Sequence, residues 1–190
     1  MRRIVMFAAL VFLVPAAAQA QTAIYVTSST AHLSNVEAGE LPSGSGYQEQ
    51  YSSFWTSGIG GGVSLSFLPL GPVKLGFDFR GSTRPGTPGV DTAMVGIKLG
   101  FSPPALRIKP YLQASGGYLA SRSVNVASLG TFNNKYVGWE ILGGIDYPLV
   151  KVLDVRVIEL GGGTAVSVPG FGSGPSISLF TINTGLVLHF

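Results

Sequence analysis

The stretch Ser176-Ile-Ser-Leu-Phe-Thr-Ile-Asn-Thr-Gly-Leu-Val-Leu-His-Phe190 decides the fold of the chain. Its residues alternate between an apolar, aromatic-tipped set and a set that is mostly small or polar. The apolar set comprises Phe180, Ile182, Thr184, Leu186, Leu188 and Phe190. A period of two is typical of a β-strand whose two faces meet different environments. Because a tilted strand of roughly 9–11 residues crosses a bilayer, the stretch predicts one strand of a membrane barrel.

The start of the chain has the features of a secretory signal peptide. Basic Met1-Arg-Arg3 precedes an apolar run from Ile4 to Val14, and Ala18-Gln-Ala20 offers a cleavage site. A retained membrane helix would need about 20 apolar residues, which this run does not reach. We therefore predict a signal peptide at residues 1–20 and one barrel domain at residues 21–190. Loss of Arg2 and Arg3 removes most of the basic excess, so no nucleic-acid partner is expected.

The composition excludes several classes of protein. Charged residues make up 11% of the chain, less than half of the roughly 25% usual in soluble proteins. No stretch after residue 20 is long and apolar enough for a membrane helix, and the chain has 27 glycines. Cysteine is absent, which excludes disulfides and thiolate chemistry. A barrel with apolar residues on its outside fits this combination, and neither a cofactor nor a metal is expected.

Alternating segments separated by turn residues predict an eight-stranded antiparallel up-and-down transmembrane barrel. The strands lie near residues 23–34, 53–67, 73–80, 92–101, 108–122, 136–147, 154–166 and 176–190. Short turns are expected near residues 70, 104 and 150, and longer loops at 35–50, 81–90, 123–134 and 167–175. This asymmetry is typical of outer-membrane barrels, whose periplasmic turns are short. A one-residue slip in the seventh strand predicts a β-bulge near Ile158.

The faces opposite the apolar ones predict a charged interior. It comprises Lys74, Asp78, Arg80, Lys98, Glu140, Asp146, Arg156 and Glu159. Eight strands leave room only for side chains, and unpaired buried charges are costly, so these residues should pair. We expect Asp146 opposite Arg156, and Glu140 as an acceptor for Arg80. Because a charge-selective pore favours rings of one sign, balanced charge indicates a polar plug, with a narrow water-filled passage as the alternative.

The eight-strand pattern, the leader and the terminal Leu186-Val-Leu-His-Phe190 resemble the small bacterial outer-membrane β-barrel family, of the outer membrane protein A and outer membrane protein X type. The resemblance implies a monomer in a Gram-negative outer membrane. Its partners would be outer-membrane lipid and, during biogenesis, the barrel-assembly machinery. In that family a terminal aromatic with alternating apolar residues is the assembly signal, and Leu186, Leu188 and Phe190 match it. Deleting Phe190 should therefore harm insertion more than it harms the folded barrel.

The role predicted for such a barrel is structural or a surface interaction through the outer loops. The alternatives are a porin-like narrow passive channel for small solutes and a lipid A-modifying hydrolase. Aromatic residues are expected to form girdles at the two membrane interfaces. These residues are Trp55, Tyr118, Trp139 and Tyr147.

Catalysis is not expected, and the remaining candidates lie at the end of the first strand. His32-Leu-Ser-Asn35 is similar to the His-x-Ser-Asn motif of the lipid A deacylases, which are also eight-stranded barrels. Ser34 would be the nucleophile, His32 the base and Glu37 the orienting carboxylate. That family carries the motif late in the barrel, whereas here it lies on the first strand. Polar side chains at a loop edge are the simpler interpretation.

Overall fold

Eight antiparallel strands, each paired with its neighbour in sequence, close into a barrel. The computed structural model describes residues 21–43, 46–104, 106–124, 131–168 and 176–190, so the predicted signal peptide lies outside the described residues. The strands are β1 (Gln21–Ser43), β2 (Gly46–Leu70), β3 (Val73–Arg84), β4 (Gly89–Phe101), β5 (Lys109–Val124), β6 (Thr131–Val150), β7 (Leu153–Ser167) and β8 (Ile177–His189). The predicted fold class is confirmed. No helix among the described residues is long and apolar enough to cross a membrane.

β8 closes the barrel by pairing with β1 on one side and β7 on the other. Its register with β1 runs from Ala23 opposite His189 to Ser34 opposite Ser178. Side chains along β8 alternate between buried and exposed, which confirms the two faces predicted from its sequence. Closure pairs the edges of the sheet, as the lack of hydrogen-bonding partners in a bilayer core requires.

The distribution of polar and apolar side chains is inverted relative to a soluble protein. Charged side chains are fully buried inside the barrel, such as Asp78, Arg156 and Glu159, which are at most 1% exposed. They lie beside a cluster of buried apolar side chains that includes Leu33, Val90 and Leu119. The outer face carries many large apolar side chains, including Ile59, Phe79, Val95, Ile97, Leu112, Ile141, Val157, Phe180 and Leu186. A water-facing monomer rarely exposes so large an apolar surface. The outer face is therefore suited to lipid.

The barrel has two unlike ends. Connections 71–72, 102–108 and 151–152 lie at the same end as the start of β1 and the finish of β8; we call this the short-turn end. The opposite end, which we call the loop end, carries the connection after β1 and those after β3, β5 and β7. At the short-turn end Gly71 takes a φ of 65°, a conformation that glycine adopts without steric cost.

A β-bulge interrupts β7 at the position predicted from the sequence. Ile145 pairs with Ile158, but the next residue, Asp146, pairs with Arg156, so Val157 is the extra residue. Val157 and Ile158 are consequently both exposed on the outer face. The slip allows Arg156 and Glu159 to point inward together. The bulge is thus what brings two groups of the interior network into contact.

The first hairpin is much longer than predicted, and the predicted loop at 35–50 is wrong. β1 continues to Ser43 and β2 begins at Gly46. The register shifts between Leu33 and Val36, where Asn35 has a φ of 63°. Asparagine tolerates this left-handed conformation. Beyond the bulge the backbone pairing continues to Ser43 and Gly46, although the sequence there shows no alternation of apolar and polar residues.

Candidate functional site

The interior of the barrel is built around Glu159, whose carboxylate binds two arginines. Arg80 makes a bidentate contact, with Nη1 3.1 Å from Oε1 and Nη2 2.9 Å from Oε2. Arg156 Nη1 lies 3.1 Å from Oε2. Tyr111 donates its hydroxyl to the same carboxylate, and Asn183 donates at 2.8 Å. Paired, charge-assisted hydrogen bonds of this kind are among the strong ones in proteins. Because Arg80 lies on β3 and Glu159 on β7, they join opposite walls of the barrel.

A second carboxylate, Asp78, is satisfied by donors from four strands. Tyr25 donates at 2.8 Å, Ser64 at 2.7 Å and Gln113 at 2.8 Å. Arg80 Nε lies 3.1 Å from Asp78 Oδ1, so one guanidinium bridges Asp78 and Glu159. Asp78 is fully buried. Burial of a carboxylate is tolerated because every side of it meets a donor.

Arg156 forms the third centre of the network. Its Nε lies 3.0 Å from Asp146 Oδ1, which gives the pairing expected across β6 and β7. The guanidinium carbon also lies 4.4 Å from the centroid of the Tyr25 ring and 4.9 Å from that of Tyr111. Lys98 approaches Asp146 at 3.9 Å and the Tyr111 centroid at 3.9 Å. Cation–π contacts are strengthened where water is excluded, and these tie the arginine to both tyrosines.

Glycines opposite the two tyrosines provide the space that these rings occupy. A Cβ at Gly144 would lie 2.4 Å from Cζ of Tyr111, and one at Gly62 would lie 2.5 Å from the hydroxyl of Tyr25. Such distances are far inside van der Waals contact. The glycines on β2 and β6 therefore permit bulky donors to reach across the interior.

The eight residues predicted for the interior do not all join one network. Asp78, Arg80, Lys98, Asp146, Arg156 and Glu159 come together, and Glu140 approaches Arg80 at 3.6 Å. The main partner of Arg80 is Glu159, not the expected Glu140. Lys74 is the exception: it lies at the short-turn end, where its Nζ donates to Gln21 at 2.6 Å.

Sequence reasoning missed several interior polar residues. Arg84 was assigned to a loop, yet it ends β3 with its side chain 2% exposed and donates to Ser29 at 2.6 Å. Asp154 is fully buried and binds Lys109 at 2.7 Å and His189 at 2.8 Å. The alternation of β7 placed Asp154 on the same face as Arg156, a signal that could have identified it.

The network leaves little free space on its loop side. The cavity next to it on the loop side, lined by Arg80, Arg84 and Glu140, measures about 30 Å³. This is room for about one or two water molecules. Among the described residues, hydrogen-bonded charges of both signs therefore fill the interior around Glu159.

The residues considered for catalysis lie on the outer face of β1, away from the interior. Ser34 Oγ is 3.5 Å from His32 Nδ1, the outer limit for a hydrogen bond. Trp55 packs on His32 with ring centroids 4.7 Å apart. The side chain of Glu37 lies outside the described residues. Among the side chains that are described, no carboxylate pairs with His32, and no cluster suits a metal ion.

The residues predicted for the aromatic girdles all point outward. Trp55 and Trp139 are more than half exposed, and Tyr118 and Tyr147 somewhat less so. Trp55 contacts Phe180 edge to face at 6.3 Å. Trp55, Tyr118 and Trp139 lie in the halves of their strands nearer the loop end, whereas Tyr147 lies near the short-turn end.

Comparison with known proteins bears on the fold. No family model matches the chain, and no curated protein matches it in sequence. Ail, the attachment invasion locus protein of Yersinia pestis, crystallised with the heparin analogue sucrose octasulfate, is 10% identical; the match covers 90% of this chain and 99% of Ail with a TM-score of 0.50.

Two further solved structures match at similar coverage. Neisserial surface protein A is 14% identical over 88% of this chain and 99% of its own, with a TM-score of 0.49. The N-terminal β-barrel domain of Pseudomonas aeruginosa OprF is 11% identical over 90% of this chain and 100% of its own, with a TM-score of 0.48. From its closed eight-stranded sheet and its likeness to Ail, the chain has the fold of the small outer-membrane β-barrels.

Proposed function

We propose that the chain is an outer-membrane barrel with a sealed polar interior and a structural or loop-mediated role at the cell surface. The observation that supports the seal is the sharing of Glu159 between Arg80 and Arg156. The apolar outer face supports a position in lipid, because the same side chains would be unfavourable in water. In this proposal the protein acts through the hairpin and loops that the barrel holds at the surface, and not by transport through its interior.

The two ends of the barrel support an orientation. Short turns face the periplasm in outer-membrane barrels, and longer loops face outward. In this orientation the first hairpin, which reaches Ser43 and Gly46, rises on the outside. An interaction at the surface would use this hairpin and the neighbouring loops, since loops held by a rigid barrel commonly carry binding. The partners during biogenesis would be outer-membrane lipid and the assembly machinery.

Electrical recording distinguishes the seal from the alternative, a narrow passive channel. The wild-type barrel in a planar lipid bilayer is expected to give no steady openings. Replacing Arg80 and Glu159 together with serine keeps the interior charge balanced while it removes the bidentate contact. Steady openings should then appear, because the polar layer that separates the two ends has been thinned.

The matched control for that experiment removes an ion pair outside the network. Arg122 Nη2 lies 3.0 Å from Asp91, and both side chains are partly exposed at the loop end. The double serine variant of this pair should remain closed. If the wild type, the control and the Arg80–Glu159 variant all gave steady openings, the seal would be contradicted and the channel favoured.

A separate test concerns the end of β8. Phe190 is 70% exposed on the outer face, and its backbone N–H donates to Thr22 at 2.9 Å. Deletion of Phe190 should reduce the amount of barrel assembled in cells severalfold, while the purified variant refolds in detergent with little loss of stability. The measurement is the heat-dependent gel shift of membrane fractions beside that of refolded protein. Equal assembly of the variant and the wild type in cells would refute the assembly-signal role of Phe190.

A further inference from the structure

The short-turn end of the barrel contains a cavity that the sealed interior does not use. It measures about 410 Å³, within the range of roughly 300–1,000 Å³ typical of small-molecule sites. Its inner wall is formed by Lys98 and Tyr111, on the opposite side of the network from the loops. Gln21, Lys151 and Phe190 at its rim are exposed. A ligand could therefore enter from the solution at this end.

Positive charge from separate elements converges on this cavity. Lys74 of β3, Lys98 of β4, Lys109 of β5 and Lys151 of the β6–β7 turn all line it. The carboxylates that line it are Asp146 and Asp154. Asp146 is also bound by Arg156, so its charge is largely compensated from within. A cleft lined by an excess of one sign concentrates ligands of the opposite sign.

Cationic side chains in the cavity wall are left for a ligand. Lys74 contacts a neutral amide, that of Gln21, and forms no ion pair among the described side chains. Asp154 is fully buried, and its Oδ2 lies 2.7 Å from Lys109 Nζ and 2.8 Å from His189 Nε2, so its charge is compensated within the wall. The wall thus offers cations for an anion.

We propose that this cavity binds a small organic anion, with its phosphate or carboxylate among Lys74, Lys98 and Lys151. The site lies on the short-turn side of the Arg80–Glu159 layer and shares Lys98 and Tyr111 with the network. In the orientation proposed above, the ligand comes from the periplasm. Binding should weaken as salt is added, because exposed charges are screened.

NMR titration of the folded full-length barrel in non-ionic detergent micelles tests the proposal. Glucose 6-phosphate and glucuronate are added separately at low ionic strength, with glucose as the neutral control. Saturable shifts of the backbone amides of Ala23, Ser66 and Lys98, which line the cavity, are expected with at least one of the anions and not with glucose. The anion that binds identifies phosphate or carboxylate as the recognised group. Equal binding of glucose, or no saturable binding of either anion, would overturn the proposal.

Variants at the rim locate the binding. Lys74→Gln should weaken the binding of the anion about tenfold or more, as expected for a lost charge-assisted contact. Arg107→Gln is the matched control, because Arg107 is exposed at the same end but does not line the cavity. It should change the affinity less than twofold. An equal loss of affinity in the two variants would mean that the overall positive charge attracts the anion, and it would overturn the site.

Discussion

Replacing Glu159 with glutamine is expected to lower the free energy of unfolding of the barrel by about 3–5 kcal/mol. The amide keeps the size of the side chain but removes the charge that Arg80 and Arg156 share. The Arg80 side chain is 10% exposed and that of Arg156 is fully buried. Without the charge of Glu159, Arg80 would retain Asp78 and the more distant Glu140, and Arg156 would retain Asp146. The loss is large because an arginine charge inside the barrel cannot regain water.

Urea titration of the barrel in lipid vesicles, followed by tryptophan fluorescence and by gel mobility, measures this effect. Asp91→Asn provides the control, because it removes a carboxylate from a partly exposed pair with Arg122. The control should cost about 0–1 kcal/mol, as usual for surface ion pairs. Similar small losses in the two variants would mean that the interior is hydrated and that Glu159 does not hold the walls together.

Placing an arginine on the middle of the outer face is expected to cost about 2–4 kcal/mol in vesicles. Val95→Arg is the suitable change, because Val95 lies at the centre of β4 and is 49% exposed. Its neighbours across the strands are Phe79 and Gly116, so the new charge could not reach a partner nearby. In water the same substitution at a half-exposed position would change stability by only a few tenths of a kcal/mol.

Leu149→Arg is the matched control for the outer face. Leu149 is 54% exposed, similar to Val95, but it lies at the short-turn end of β6. Near the interface an arginine costs about 0–1 kcal/mol, because it can extend towards the head groups. Equal costs for Val95→Arg and Leu149→Arg would contradict a bilayer centred on the middle of the strands.

The faces of the strands were predictable wherever the two sides meet different media. In β8, lipid and the polar interior select different residue types at alternate positions, and the pattern survives in the sequence. The bulge in β7 was predictable for the same reason, since Arg156 and Glu159 could share the interior only through a one-residue slip. The part of the β1–β2 hairpin beyond Val36 has no such alternation in its sequence, so its length could not be predicted from periodicity.

Contacts across the interior could not be predicted from the sequence. Arg80 and Glu159 lie on strands that are not neighbours, so their meeting depends on the tilt and stagger of the closed sheet. Arg84 was hidden for another reason: Arg-Pro-Gly indicates a turn, and the strand in fact continues through Arg84 before the turn begins. Alternation selects the inward face but does not set the height of a side chain along the barrel.

Lipid contact along β8 tests the central claim most directly, because this strand defines both faces of the barrel. In methyl-labelled protein in lipid nanodiscs, nuclear Overhauser effects from lipid acyl chains should reach the methyl groups of Ile182 and Leu186, which are 37% and 49% exposed. Leu179 and Val187, at 4% and 1%, should receive none. Acyl-chain contacts to both pairs, or to neither, would contradict a closed barrel that faces lipid outside and a polar seal inside.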